Sequence, residues 1–98
     1  MANSFSGKLW VLDTADANNP QMKDAVLPLR MRWKPSAAGQ SIVVKNKNGL
    51  VYWSETSLTA YPAGALTWEN PGQPPEPMDG FWLQTLTTGG TLEVTKGV

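Results

Sequence analysis

The chain has 98 residues, of which eight are Lys or Arg and eight are Asp or Glu, so its formal net charge is zero, and it contains neither His nor Cys. This composition excludes disulfides, thiol nucleophiles, a histidine proton shuttle and the ordinary zinc ligand sets, and it argues against a general affinity for nucleic acid. A chain of this length forms one domain, 1–98, with a core small enough that association with other subunits is a natural source of stability.

No targeting or membrane-spanning segment is expected. The opening residues lack a basic stretch followed by an apolar stretch, and no apolar run approaches the ~18 to 20 residues that cross a bilayer. We therefore expect a protein that is neither secreted nor bound to a membrane.

The first predicted strand covers 8–13. Its apolar residues stand between Gly7 and the turn-rich segment 14–20, an arrangement typical of a strand between loops.

The second predicted strand covers 25–34, where every second residue is apolar. Its predicted buried face consists of Ala25, Leu27, Leu29, Met31 and Trp33. Pro28 has no backbone donor, so the first half of this strand should lie at a sheet edge or contain a break, and Pro35 ends the strand.

Two hairpins are predicted in the rest of the chain. Segments 41–46 and 50–54 flank a turn at Asn48-Gly49, and segments 80–86 and 91–95 flank Thr88-Gly89-Gly90. Residues 66–69 form a possible short additional strand. The sequence thus predicts an all-β sandwich or small barrel of six to seven mostly antiparallel strands.

A proline-rich arm or loop is predicted at about 57–80. The part from Pro71 to Pro77 cannot belong to a central strand or a helix interior, because proline fixes φ and removes a donor. Since Leu66, Trp68 and Met78 lie along the segment, we expect it to lie against its own surface or a neighbour's. Its candidate partner-binding residues are Trp68, Pro71, Pro74, Pro75 and Pro77.

The five tryptophans provide the main aromatic surfaces. Trp10 and Trp33 lie in patterned strands and are predicted to fill the core. Alternation places Trp53 on one face with Val51 and Tyr52 on the other, which leaves one of the two aromatics exposed unless a second layer covers it. The same argument applies to Phe81 and Trp82. Exposed rings of this kind could also line a sugar-binding groove.

The charges are unevenly distributed along the chain. Residues 1–49 hold seven Lys and Arg against three Asp and Glu, whereas residues 50–98 hold one against five. Arg30, Arg32 and Lys34 form a basic row on one strand face and are further candidates for partner binding. A solvated face balanced by acidic neighbours is favoured over an oligonucleotide-binding surface, because the chain lacks an overall positive field.

No enzymatic or metal site is expected, and no cofactor. The loop 13–19 offers oxygen atoms but lacks the ligand order of a helix-loop-helix calcium site, and Asp and Asn are ordinary turn residues. Glu76 and Asp79 lie close in sequence, which does not place two carboxylates across a cleft.

Four segments carry a resemblance to a known group of proteins. They are the opening MANSFSGKLWVLDTA, the turn WKPSAAG at 33–39, the hairpin ending in Val51-Tyr52-Trp53, and Gly80-Phe81 with the closing TGGTL. With these segments the chain resembles the short all-β structural proteins of tailed bacteriophages. No defined functional residues accompany that resemblance.

The resemblance implies a non-enzymatic component of the virion, made in the host cytoplasm. Its most favoured role is a capsid decoration or cement protein that binds the major capsid protein or other virion proteins, with further copies of itself in the assembly. A carbohydrate-binding or host-attachment β-module is one alternative, and a head-tail connector or tail element is another.

Overall fold

The computed structural model describes residues 3–5 and 7–97, and within them the chain forms seven strands and no helix. The strands are β1 (Leu9–Leu12), β2 (Pro28–Lys34), β3 (Ser41–Lys45), β4 (Val51–Thr56), β5 (Leu66–Glu69), β6 (Trp82–Leu86) and β7 (Thr91–Lys96). Every strand pair is antiparallel. The predicted all-β class is confirmed, and the short strand at 66–69 is present.

The strands form two sheets that pack as a sandwich. The order is β1-β7-β2-β5 in one sheet and β4-β3-β6 in the other. In each sheet, every second residue of a strand faces the other sheet, and these inward side chains form a core that is shielded from water. The buried core comprises Trp10, Leu12, Val26, Met31, Trp33, Ile42, Val44, Trp53, Met78, Phe81, Leu83, Leu86, Leu92 and Val94.

Two tryptophans predicted as core residues are confirmed as such. Trp10 is 3% exposed and Trp33 is fully buried. The Trp10 ring meets Phe81 edge-on, with 5.6 Å between the ring centroids, and so ties β1 to the segment that leads into β6. This contact joins the two sheets at one side of the sandwich.

The alternation predicted for β2 is correct only in its second half. Met31 and Trp33 are buried as predicted, but Ala25 and Leu29 are exposed, while Val26 and Pro28 are buried instead. The pairing of β2 with β7 shifts register between Pro28 and Arg30. The irregularity inverts the faces before it, because one extra residue exchanges inward and outward positions.

The second predicted hairpin is wrong, although both of its strands exist. β6 pairs with β3 in the three-stranded sheet, and β7 pairs with β1 and β2 in the four-stranded sheet. Residues 87–90 therefore carry the chain from one sheet to the other. A tight turn reverses the chain direction but does not determine which sheet receives the next strand.

The first hairpin is confirmed, with an irregularity close to its turn. Val44 lies opposite Trp53 but Lys45 lies opposite Val51, so Tyr52 is an extra residue in β4. Val51 therefore does not share the face of Trp53, contrary to the alternation: Val51 is 49% exposed and Trp53 only 7%. Tyr52 is half-buried against the core.

Two strand edges on one side of the sandwich are covered by other parts of the chain. At β1, Ser4 and Val11 exchange two backbone hydrogen bonds of 2.8 and 3.1 Å. Beside β6, the Gln21 side chain accepts from the Leu83 amide at 2.8 Å and donates to the Leu83 carbonyl at 3.0 Å. The segment before β1 and the loop between β1 and β2 thus satisfy backbone groups that would otherwise be unpaired.

Segment 57–80 is not one continuous arm, because β5 divides it into two loops. The second loop, residues 70–77, is called the proline loop below. The Asn70 amide donates to the carbonyls of Pro28 and Glu76 at 2.9 and 2.8 Å, and its oxygen accepts from the amides of Gly72 and Glu76 at 3.0 and 3.2 Å. Beyond the loop, Met78 is 1% exposed. The proline loop is therefore anchored at both ends.

The first prediction concerns the turn of the first hairpin, where Gly49 has a φ of 92°. Gly49→Val should lower the free energy of unfolding by roughly 1 to 3 kcal/mol, because a β-branched residue resists positive φ. No heavy atom lies within 4 Å of the added Cβ, so the cost comes from the backbone and not from a clash. Denaturant unfolding measures it. Asn48→Val is the control at a position without positive φ, and an unchanged midpoint for Gly49→Val would contradict the assignment.

The second prediction concerns the anchor of the proline loop. Asn70→Ala should lower the free energy of unfolding by about 1 to 3 kcal/mol, because it removes four hydrogen bonds to backbone groups of Pro28, Gly72 and Glu76, two of them partly buried. Amide hydrogen exchange should become faster at Gly72 and Glu76. Asn18→Ala is the matched control, since no hydrogen bond of that side chain occurs in the described chain. Unaltered exchange at both amides would show that the loop does not depend on Asn70.

Candidate functional site

The opposite side of the sandwich carries two strand edges that the described chain leaves uncovered. β4 pairs only with β3, and β5 pairs only with β2. Within residues 3–5 and 7–97, no backbone hydrogen bond outside the sheets reaches 51–56 or 66–69. We call this side, formed by β4 and β5, the β4–β5 edge.

A groove of about 370 Å³ lies between these two strands and the proline loop. The start of β4 and the residue before it supply Leu50, Val51 and Tyr52, and β5 supplies Trp68. The proline loop supplies the remaining wall, including Pro71 and Pro77. The groove is called the edge groove below.

One polar side chain of the edge groove has all of its hydrogen bonds made within the protein, and the other polar groups are free in the described chain. The Asn70 amide uses both donor hydrogens and accepts two hydrogen bonds within the protein, so its hydrogen-bonding capacity is filled. Glu76 is the one formally charged residue of the lining, and its carboxylate has no ion pair or hydrogen bond in the described chain. The Tyr52 hydroxyl and the Trp68 indole N–H are likewise unbonded there. The groove therefore combines aromatic and proline walls with one acidic group.

Two strongly exposed apolar side chains, Leu50 and Val51, line this groove. Six large apolar residues are exposed in the described chain, and four of them lie between positions 50 and 61. The four are Leu50 at 60%, Val51 at 49%, Leu58 at 91% and Tyr61 at 41% exposure. Leu50 and Val51 adjoin each other at the groove, whereas the Tyr61 ring lies at Arg32 and Lys34 on the outer face of the four-stranded sheet. Neighbouring exposed apolar residues favour a contact surface, whereas single ones are ordinary.

The residues predicted for partner binding on the proline-rich segment are only partly brought together. Trp68 is half-buried on β5, where it packs against the core and forms part of the edge groove. Pro71 and Pro77 also line the groove. Pro74 and Pro75 are exposed at the tip of the proline loop and lie outside the groove lining.

The basic row lies elsewhere, on the outer face of the four-stranded sheet. Arg30 forms an ion pair of 3.2 Å with Glu69 on β5, and Lys34 forms one of 3.0 Å with Glu93 on β7. The guanidinium of Arg32 lies over the Tyr61 ring, 5.6 Å from its centroid. Two of the three cations are thus matched by acidic neighbours, as expected for a solvated face. None of the three lines the edge groove.

The sequence did not identify Leu50, Val51 and Glu76 as site residues. The available signal was the apolar run 50–53, which is too long for a strand with one wet face and one dry face. That run indicates surface that needs covering, but it does not say which of its members are exposed. The irregularity at Tyr52 determines this, and period-two patterning does not predict it.

A second cavity, of about 430 Å³, lies beside β1 and is lined by Trp10, Met22 and Lys96, among others. The Lys96 ammonium lies over the Trp10 ring at 5.4 Å from the centroid. The edge of β1 is already paired by Ser4. Among the described residues, the edge of β1 beside this cavity is thus paired at Val11, in contrast to the β4–β5 edge.

The acidic side chains outside the groove were considered as metal ligands. Among the described residues, no three His, Cys, Asp or Glu side chains gather in a way that could hold a metal ion. In the loop considered for calcium, the Asp16 carboxylate accepts from the backbone amides of Asn18 and Asn19 at 2.9 and 3.1 Å. It therefore stabilises a turn. Across the part of the chain that the structure describes, no helix is long and apolar enough to cross a bilayer.

Comparison with known proteins gives this chain no relative. A scan against protein-family models found no match, and searches of curated proteins and of solved structures found none either.

Proposed function

We propose that the chain is a non-enzymatic structural protein of a tailed-bacteriophage particle and that it attaches to coat subunits through the β4–β5 edge. The observation that carries this proposal is the coincidence of two uncovered strand edges with exposed apolar side chains on one side of the sandwich. Natural β-proteins usually protect such edges. An edge that the chain itself does not cover is well suited to covering by a partner in an assembly.

The chemistry of the groove supports contact rather than catalysis. Acid–base hydrolysis needs two groups placed around a reacting bond, and nucleophilic catalysis needs a nucleophile next to its base. The edge groove offers the single carboxylate of Glu76 among apolar walls. Aromatic side chains such as Tyr52 and Trp68 are favoured anchors in protein interfaces.

Among particle proteins we favour a capsid decoration or cement protein, whose partner is the major capsid protein. The sequence resemblance supports a virion component, and the small domain with one unsatisfied side suits attachment to a larger surface. The outer face of the four-stranded sheet is paired internally through Arg30–Glu69 and Lys34–Glu93. It can therefore remain in solvent while the β4–β5 edge faces the particle.

The third prediction tests this attachment with one edge substitution. Val51→Lys should leave the fold intact, because Val51 is 49% exposed, and should weaken binding to particles that lack the protein by about tenfold or more. Co-sedimentation with purified particles measures the binding. Cryo-electron microscopy of particles with and without the protein shows whether it occupies the head or the tail.

Leu9→Lys is the matched control for this experiment. Leu9 is 51% exposed on β1, a strand whose edge is covered by Ser4, so the substitution adds the same charge to the closed side of the sandwich. Its particle binding should equal that of the unmodified chain. Normal binding by Val51→Lys would exclude the β4–β5 edge as the attachment surface, and no added density on particles would exclude the virion role.

A further inference from the structure

We propose that the edge groove binds an extended, proline-containing segment that carries a basic residue. Its location on a coat subunit rests on the function proposed above, whereas the chemistry of the ligand follows from the groove alone. Three features of the groove carry the assignment: the aromatic and proline walls, the interruption of the strand ladder beside it, and the unpaired carboxylate of Glu76.

The walls of the groove suit a polyproline-type segment. Tyr52 and Trp68 offer flat, rigid apolar faces, and Pro71 and Pro77 add further apolar surface. Extended proline segments have no internal hydrogen bonds and dock into aromatic-lined grooves through their side chains. Because such a segment is already extended when free, it loses little conformational freedom on binding.

Simple strand addition fits this part of the edge poorly. The ladder of β4 is irregular at Tyr52, where β4 carries an extra residue opposite β3. The prolines of the adjoining loop have no N–H to donate to an incoming strand. A ligand here therefore has to be held by side-chain packing more than by a continuous backbone ladder, and a proline-containing segment is bound in that way.

The negative charge of Glu76 favours a ligand that carries a basic residue. Glu76 is the one formally charged residue lining the groove and has no ionic partner in the described chain. Two cations of the protein are engaged elsewhere, Arg30 with Glu69 at 3.2 Å and Lys47 with Asp79 at 3.2 Å. An exposed ion pair contributes little affinity but favours one partner over another. Packing on the rings should thus supply affinity, and Glu76 should supply selectivity.

An oligosaccharide is the competing ligand for the same groove. Sugar recognition combines aromatic stacking with several polar groups that are free to bond hydroxyls. The Asn70 amide would be the natural candidate, but its donors and acceptor are already used to hold the proline loop. The Tyr52 hydroxyl, the Trp68 indole N–H and the Glu76 carboxylate remain free for sugar hydroxyls, so titration with cellohexaose is the comparison that separates the two ligands.

The probe is a synthetic peptide of nine prolines followed by one arginine, titrated into the isotope-labelled full chain. We expect NMR shifts at the Trp68 indole N–H and at the backbone amides of Tyr52, Gly72 and Glu76. Trp68→Ala should weaken binding by about tenfold or more. Since Trp68 is half-buried, a second variant keeps the test independent of folding: Glu76→Gln should weaken binding of this peptide by about threefold and leave binding of a peptide without arginine unchanged.

Matched controls separate the groove from the rest of the surface. Glu55→Gln removes an exposed carboxylate of β4 outside the groove lining and should have no effect. Trp82→Phe alters an indole at the other side of the sandwich, where it donates to the Asp16 carbonyl at 2.7 Å, and should not affect the peptide. A Gly/Ser peptide of the same length ending in arginine should not bind.

Four outcomes would overturn the inference: no binding of the proline peptide, equal binding of the Gly/Ser peptide, equal loss in Glu55→Gln and Glu76→Gln, or groove shifts caused by cellohexaose but not by the peptide. If the peptide fails while Val51→Lys still abolishes particle attachment, the groove ligand is wrong and the structural role stands. If the peptide binds as expected but the chain does not attach to particles, the groove ligand stands and the virion role is wrong.

Discussion

Seven strands divided between two open sheets leave four strand edges, and the backbone groups along each edge need partners. The described chain solves this problem at one side of the sandwich only. There Ser4 pairs with Val11 on β1, and the Gln21 side chain bonds both backbone groups of Leu83 on β6. The other side keeps β4 and β5 as free edges. This asymmetry determines where the molecule can join a partner without rearranging its own fold.

The proline loop shows how a donor-poor segment can still have a defined shape. Its prolines cannot contribute backbone N–H groups, so the loop cannot build a ladder of its own. One side chain replaces that ladder, because Asn70 forms four hydrogen bonds that connect the loop to itself and to β2. The same saturation removes Asn70 as a ligand-binding group. The structural role of this amide therefore leaves Glu76, Tyr52 and Trp68 as the polar side chains of the groove that a ligand can bond.

Sequence reasoning succeeded where the signal was local and failed where it depended on pairing. The Asn48-Gly49 turn and the buried Trp10 and Trp33 follow from turn chemistry and from short-range alternation. The predicted faces of Leu29 and Val51 were wrong. Register shifts in β2 and β4 each add one residue to the strand, and a period-two pattern in the sequence does not reveal such a residue. The predicted pairing of β6 with β7 was wrong, because strand pairing depends on how all the strands pack around the core and not only on the turn between two of them. The edge groove combines both difficulties, since it joins an irregular strand to a distant loop.

Charge distribution separates the two surfaces that the sequence offered for docking. The row of Arg30, Arg32 and Lys34 is basic in the sequence but largely compensated in the fold, because β5 and β7 place Glu69 and Glu93 beside it. A face whose charges are mostly paired within the protein has little net charge with which to favour one partner over another. The groove has the opposite character, since its apolar walls surround one carboxylate without an internal partner. Affinity and selectivity can therefore reside together at the β4–β5 edge, while the charged sheet face keeps the protein hydrated on its outer side.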